Sequence, residues 1–153
     1  SKFGKKVLLT YGGGSIKRTG LYDKVKSLLA DCEIFELSGI SPNPKISSVR
    51  AGVDICKREN IDVILAVGGG SVIDASKNIS AGFGYDGDPW DLVLDPSKIG
   101  KVLPIVTVLT LSATGSEFDN SAVISNPETN EKLPLFGPGK LDPAYSICDP
   151  QYT

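Results

Sequence analysis

The chain has 153 residues, of which 41% are hydrophobic and 22% charged, enough for one globular domain with a proper core. Lys plus Arg number 16 against 18 Asp plus Glu, a net charge of −2, which lacks the basic excess of a nucleic-acid binder; no apolar run reaches the roughly 18–20 residues of a membrane span. Histidine is absent and the three cysteines, Cys32, Cys56 and Cys148, lie far apart, so imidazole chemistry, a zinc site and a disulfide framework are all excluded, and the expected setting is the cytoplasm.

Taken in order, the chain alternates short apolar runs with helical periodicity. Val7 to Tyr11 is a strand that stops at Gly12-Gly13-Gly14; Leu21, Val25, Leu28 and Leu29 then line one face of a helix. Glu33 to Leu37 alternates like a second strand and runs into the turn-prone Ser41-Pro42-Asn43-Pro44. Ile46, Val49, Val53 and Cys56 predict a helix closed by Arg58-Glu59-Asn60. Ile61 to Val67 is nearly continuous in β-branched residues, the mark of a strand buried on both faces, and stops at Gly68-Gly69-Gly70. A helix follows over about Ser71 to Ala81, then a long Gly/Asp/Pro-rich loop over 82–101, with Trp90 as its packing anchor. Val102 to Val108 is a fourth strand leading into Thr110-Leu111-Ser112-Ala113-Thr114-Gly115-Ser116-Glu117. Ser121–Ser125 and Lys132–Phe136, separated by a turn-rich stretch, predict a β-hairpin, and Tyr145–Cys148 a last strand.

This order predicts an α/β fold: a Rossmann-like parallel sheet with helices on both faces, plus a β-hairpin near the C-terminus. Ligands of such sheets bind beyond the carboxyl ends of the strands. Both glycine triplets, the Ser-Pro-Asn-Pro turn and the Thr/Ser/Gly loop follow strands, so they are expected to gather on one edge.

Val67 to Asp74 carries the strongest signal, a buried strand that runs into three glycines and a helix. Fixing three successive glycines is entropically costly, and an anionic ligand lying on bare backbone at a helix N-terminus supplies the reason. Ser71 and Asp74 also have the spacing of an N-cap and its partner, so capping is an alternative that can coexist with ligand binding. Tyr11 to Arg18 repeats the design with two cations, Lys17 and Arg18, and no carboxylate in the loop, which favours or tolerates a ribose 2′-phosphate; the pair also reads as a solvated face. The hydroxyls of Thr110, Thr114 and Ser116 suit phosphate oxygens or ribose hydroxyls. Asn43 suits an adenine edge or a plain turn. Neither triplet fits the GxGxxG pattern.

Together, Tyr11–Lys17 (YGGGSIK), Pro42-Asn43-Pro44, Ala66–Asp74 (AVGGGSVID) with Lys77, Gly87–Asp91 (GDPWD), Leu109–Glu117 (LTLSATGSE) and Asp149-Pro150 resemble the iron-containing (group III) alcohol dehydrogenases, in particular their butanol dehydrogenase-like branch. The resemblance implies NAD(P)-dependent interconversion of primary alcohols and aldehydes with iron or zinc. Carried over, it places Gly13, Gly14 and Ser15 at the adenosine ribose or its 2′-phosphate with Lys17 beside them, and Asn43 near the adenine. Gly68, Gly69, Gly70, Ser71 and Asp74 cradle the pyrophosphate and ribose. Thr110, Leu111, Thr114 and Ser116 line the adenine and nicotinamide halves, and Lys132 reaches a cofactor ribose. NADP is favoured over NAD because the first loop lacks a carboxylate.

The family's metal ligands, an Asp and three His on a helical domain, have no counterpart here, nor has its extra N-terminal strand. The expectation is a dinucleotide-binding domain over 1–153 without catalytic or metal-ligating residues of its own, which binds nucleotide and does not turn over. Its partners are a nicotinamide dinucleotide and, in a longer protein, a small alcohol or aldehyde, with no nucleic acid or membrane and with a homodimer as one candidate assembly. The alternatives are the glycerol dehydrogenase and dehydroquinate synthase group, which shares the GGGS-x-x-D loop, and a nucleotide-binding module without catalysis.

Overall fold

Apolar β-branched residues can fill both faces of a strand only if helices cover both, and the run ending at Gly68 occupies that central place. In the computed structural model, which describes residues 4–110, 121–136 and 143–148, it is the middle strand of five. The elements are β1 (Lys6–Thr10), α1 (Ser15–Arg18), α2 (Leu21–Leu28), β2 (Glu33–Leu37), α3 (Ile46–Glu59), β3 (Val63–Gly68), α4 (Gly70–Gly82), α5 (Trp90–Leu94), β4 (Ile105–Leu109), β5 (Ser121–Asn126), β6 (Glu131–Phe136) and β7 (Tyr145–Cys148). The sheet order is β2-β1-β3-β4-β7, every pairing parallel, and β5–β6 form a separate antiparallel hairpin. The expected α/β architecture is therefore the one found.

The two faces of the sheet are covered by different helices. Leu8, Ile64, Ala66 and Ile105 pack with residues of α3, α4 and α5, while Leu9, Tyr11, Val67 and Val108 pack with Ile16 of α1 and Leu21 and Val25 of α2. Each fully buried Leu or Ile contributes roughly 1.5–3 kcal/mol of burial free energy. Thr10 is the buried polar residue of β1. Its hydroxyl sits 2.7 Å from Ser76 Oγ of α4, which also donates to Val72 O, so the pair is satisfied inside the core.

Several strand ends differ from the sequence reading by one residue, and larger departures have identifiable reasons. Strand β4 begins at Ile105, because Pro104 has no N–H for the ladder. Strand β3 begins at Val63, two residues later than its apolar run, because Ile61 closes the C-terminus of α3 by donating to Cys56 O. The stretch 82–101, expected to be loop, contains α5 and a 3₁₀ turn at Pro96–Lys98. Asp88 accepts from Trp90 N at the start of α5, and Asp95 accepts from Ser97 N and Oγ at the turn. These elements are too short to show a helical period, and Trp90 buries itself in the core as expected.

Candidate dinucleotide site

The chain leaves β1 toward β2 on one side and returns across it to β3 on the other, so the connections diverge between β1 and β3. In doubly wound sheets of this order that divergence opens a crevice at the carboxyl ends of the two strands. Both glycine triplets end there. Gly12–Gly14 follow β1, and Gly68–Gly70 bridge β3 and α4. The expected convergence of the loops is found and is hydrogen-bonded. Gly39 N donates to Gly12 O at 2.8 Å, Thr110 N to Gly68 O at 2.9 Å, and Ser71 Oγ to Pro42 O at 2.5 Å.

Helix α4 starts at Gly70, with Gly69 as its N-cap in ordinary extended geometry (φ −91°, ψ −167°) and no side-chain cap. The first i→i−4 bond is Ile73 N to Gly69 O, so the amides before it have no i→i−4 partner within the helix. The capping alternative for Ser71 and Asp74 is not what forms: the Ser71 hydroxyl ties the corner to the Ser-Pro-Asn-Pro turn, and Asp74 Oδ2 accepts from Val123 N of the hairpin at 3.3 Å. Gly13 stands in open space among the described residues, with none of their atoms beyond its chain neighbours within 4 Å of where a Cβ would sit.

The hairpin brings the second half of the site. Ser125 N donates to Pro44 O at 2.9 Å, and Lys132 Nζ reaches Asn43 Oδ1 at 3.3 Å, joining residues 89 apart in sequence. Around them lies an open cavity of about 350 Å³, lined also by Lys45, Asn126 and Asn130. Arg50 clasps Asp88 through two bonds of 3.0 and 2.8 Å and Glu128 at 2.9 Å, pinning α3 to the loop before α5 and to the hairpin turn. Of the expected site residues, Gly13, Gly14, the backbone of Ser15, Lys17, Asn43, Gly68, Gly69, Gly70, Ser71, Asp74, Thr110 and Lys132 are thus placed on or beside the strand-end edge. Leu111, Thr114 and Ser116 lie outside the described residues.

A carboxylate that the sequence reading passed over sits beside the first corner. Glu36, on β2, accepts from Tyr11 Oη at 2.7 Å and Tyr22 Oη at 2.8 Å, and pairs with Lys26 Nζ at 3.2 Å. Lys17 is not at the open glycine turn. Its ammonium lies 4.8 Å from the Tyr22 ring centroid and 5.7 Å from that of Tyr11. The loop itself holds no carboxylate, as read, but Glu36 on the neighbouring strand brings one beside Tyr11. The missed signal was spacing: Glu36 stands 22 residues beyond Gly14, close to the roughly 20 expected of a ribose-binding acid.

Burial pushes the Glu36 carboxyl upward, but hydrogen bonds from Tyr11, Tyr22 and Lys26 outweigh it and hold the pKa below the ordinary carboxylate value of 4.5. Burial, then the bond to Glu36, pushes the Tyr11 phenol up to about 12. A depressed acid stabilises the fold above its unfolded pKa and loses that contribution as the pH falls through the folded value. The cluster therefore supports the fold in full above about pH 4.5 and loses that support as the pH falls further, through the lowered folded value. Glu36→Gln is expected to cost about 1 kcal/mol at pH 7 in urea unfolding, discounted for partial exposure. The difference from wild type should shrink between pH 4.5 and pH 3; a constant difference across that range would refute this account.

Among the described residues, no three His, Cys, Asp or Glu side chains come together in a way that could hold a metal ion. No helix of the described residues is long and apolar enough to cross a membrane.

Comparison with known proteins gives concordant matches. The family model "Iron-containing alcohol dehydrogenase" matches residues 1–150. NADH-dependent butanol dehydrogenase A of Clostridium acetobutylicum is 58% identical over 99% of this chain and 39% of its own length. NADPH-dependent aldehyde reductase YqhD of Escherichia coli is 40% identical over 97% of this chain and 39% of its own. Among solved structures, NADH-dependent butanol dehydrogenase A of Thermotoga maritima superposes with a TM-score of 0.91 at 47% identity, covering 95% of this chain and 37% of that one. Sulfoacetaldehyde reductase of Bifidobacterium kashiwanohense in complex with NAD+ superposes with a TM-score of 0.86 at 25% identity, covering 97% of this chain and 39% of that one. The chain thus spans about two fifths of the length of these relatives.

Proposed function

Because the chain belongs to the iron-containing alcohol dehydrogenase family, we propose that residues 1–153 are a dinucleotide-binding domain that holds NADH or NADPH across the carboxyl ends of β1 and β3. Within the whole protein, it serves hydride transfer between a primary alcohol and its aldehyde. The observation that carries this reading is the meeting of two glycine corners at the crevice between β1 and β3, one of them opening the uncapped N-terminus of the 13-residue α4. A diphosphate placed there meets amides without a helical partner and the positive end of the helix dipole.

In this reading the backbone of Gly68, Gly69 and Gly70 and the first turn of α4 hold the diphosphate. Gly13, Gly14 and Ser15 pass close to the adenosine ribose, Asn43 lies toward the adenine, and Lys132 donates to a ribose hydroxyl. Thr110, Leu111, Thr114 and Ser116 line the rest. Asp74 accepts from Val123 N and so fastens the hairpin beside the ribose side of the site. The bound reduced nicotinamide supplies the hydride; the residues of this chain bind and orient it. Butanol dehydrogenases and aldehyde reductases among the relatives support the substrate class. The described residues do not fit the family's metal, so the proposal takes no step through it.

Calorimetric titration of the chain with NADH, NADPH and adenosine tests the reading. One saturable site for a dinucleotide is expected, with adenosine at least about tenfold weaker because it lacks the diphosphate. Absence of binding by both dinucleotides would overturn it.

A further inference from the structure

Two cations follow the first glycine corner, and the fold treats them differently. A guanidinium nitrogen of Arg18 lies 3.1 Å from where a Gly14 Cβ would sit, folded back over the corner. Lys17, its neighbour, is drawn the other way, onto the edge-to-face pair of Tyr11 and Tyr22, whose centroids are 5.7 Å apart and whose hydroxyls both bond to Glu36. Ring faces are electron-rich and attract an ammonium. The carboxylate gathering the two phenols adds a negative charge behind the rings, and Lys26 pairs with it from α2. The exposed Lys17 ammonium is thus drawn toward the Tyr11 and Tyr22 rings, on the side where Glu36 stands.

We propose that Tyr22 is a specificity-determining residue. By holding Lys17 over its ring, it withholds one cation from the 2′ position of the adenosine ribose, and so lowers the preference for a 2′-phosphorylated dinucleotide relative to the unphosphorylated one. The inference rests on the reading of the first corner as the adenosine end of a dinucleotide site. With the diphosphate at the long helix α4, the corner after β1 lies one strand away, about 4.8 Å, and Lys17 and Arg18 are the cations that follow it in sequence. Releasing Lys17 adds a mobile positive charge that NADPH can use and NADH cannot.

The test is the ratio of Kd values for NADPH and NADH at fixed ionic strength in wild type, Tyr22→Phe, Tyr22→Leu, Lys17→Met and the double variant Tyr22→Leu/Lys17→Met. An exposed cation–ring contact corresponds to roughly a two- to fivefold effect. Tyr22→Leu should shift the ratio toward NADPH by about that factor. Tyr22→Phe, which keeps the ring, should leave it within about twofold and separates the ring from its hydrogen bond to Glu36. Lys17→Met should change the ratio little by itself yet remove the whole gain in the Tyr22→Leu background, a non-additivity that a merely structural Tyr22 would not produce. An unchanged ratio in Tyr22→Leu, or an equal gain with and without Lys17, would overturn the proposal while leaving dinucleotide binding intact. A wild type that binds neither dinucleotide would instead remove the functional reading, and this proposal with it.

Discussion

Gly69→Val is expected to weaken dinucleotide binding by about a hundredfold or more, roughly 2.7 kcal/mol, while the protein stays folded. Gly69 has a φ of −91° and a ψ of −167°, a conformation open to any residue, so its backbone does not require glycine. A valine side chain there would stand at the N-terminus of α4, where the diphosphate is proposed to lie. As an N-cap, valine is poorer than glycine by up to about 1 kcal/mol, so the melting temperature should fall by no more than about 4 °C. Gly68 provides the contrast. A Cβ there would stand 2.7 Å from Val72 Cγ2 and 3.1 Å from Val72 Cβ, a collision within the core, so Gly68→Ala should lower stability as well as binding. Titration calorimetry and thermal melts on the two variants separate these effects. Undiminished binding by Gly69→Val would remove the phosphate cradle.

The opposite result is expected of Gly84→Ala, just beyond α4. A Cβ at Gly84 would lie 2.2 Å from the carbonyl oxygen of Lys101 and 2.9 Å from its amide nitrogen. Both are backbone atoms, so no side chain can swing away, and the approach of α5 and β4 to the end of α4 must open. Overpacking of this kind costs about 2–3 kcal/mol, which lowers the melting temperature by roughly 5–10 °C. At 1.5 Å of rise per residue, α4 puts Gly84 about 20 Å from its N-terminal corner, so the Kd of the folded protein should match wild type. A melting temperature equal to wild type would contradict the packing described at Gly84, and a raised Kd would show that the two ends of α4 are coupled.

Several parts of this architecture are legible without coordinates. Glu33–Leu37 and Tyr145–Cys148 match their strands residue for residue. The helix read from Ile46, Val49, Val53 and Cys56 ends where Asn60 adopts the left-handed cap its side chain tolerates (φ 53°). The short helices were not legible, because the five residues of α5 carry less than two turns of periodicity. Lys17 shows the limit for the site: its position in sequence put it at the glycine corner, whereas the two tyrosines that capture it are visible only once β1 and α2 share a face of the sheet.

The residue order by itself determined the alternation of strands and helices, the glycine corners and the edge on which they fall, since each depends on hydrophobic period, β-branching and turn chemistry within a few neighbouring positions. The tertiary structure alone decided that Lys132 meets Asn43, that Asp74 holds the hairpin instead of capping its helix, and that Glu36 stands behind Tyr11 and Tyr22. These are meetings between elements remote in sequence, and they are set by strand order and by the side of the sheet each residue faces, which no local pattern of residues specifies.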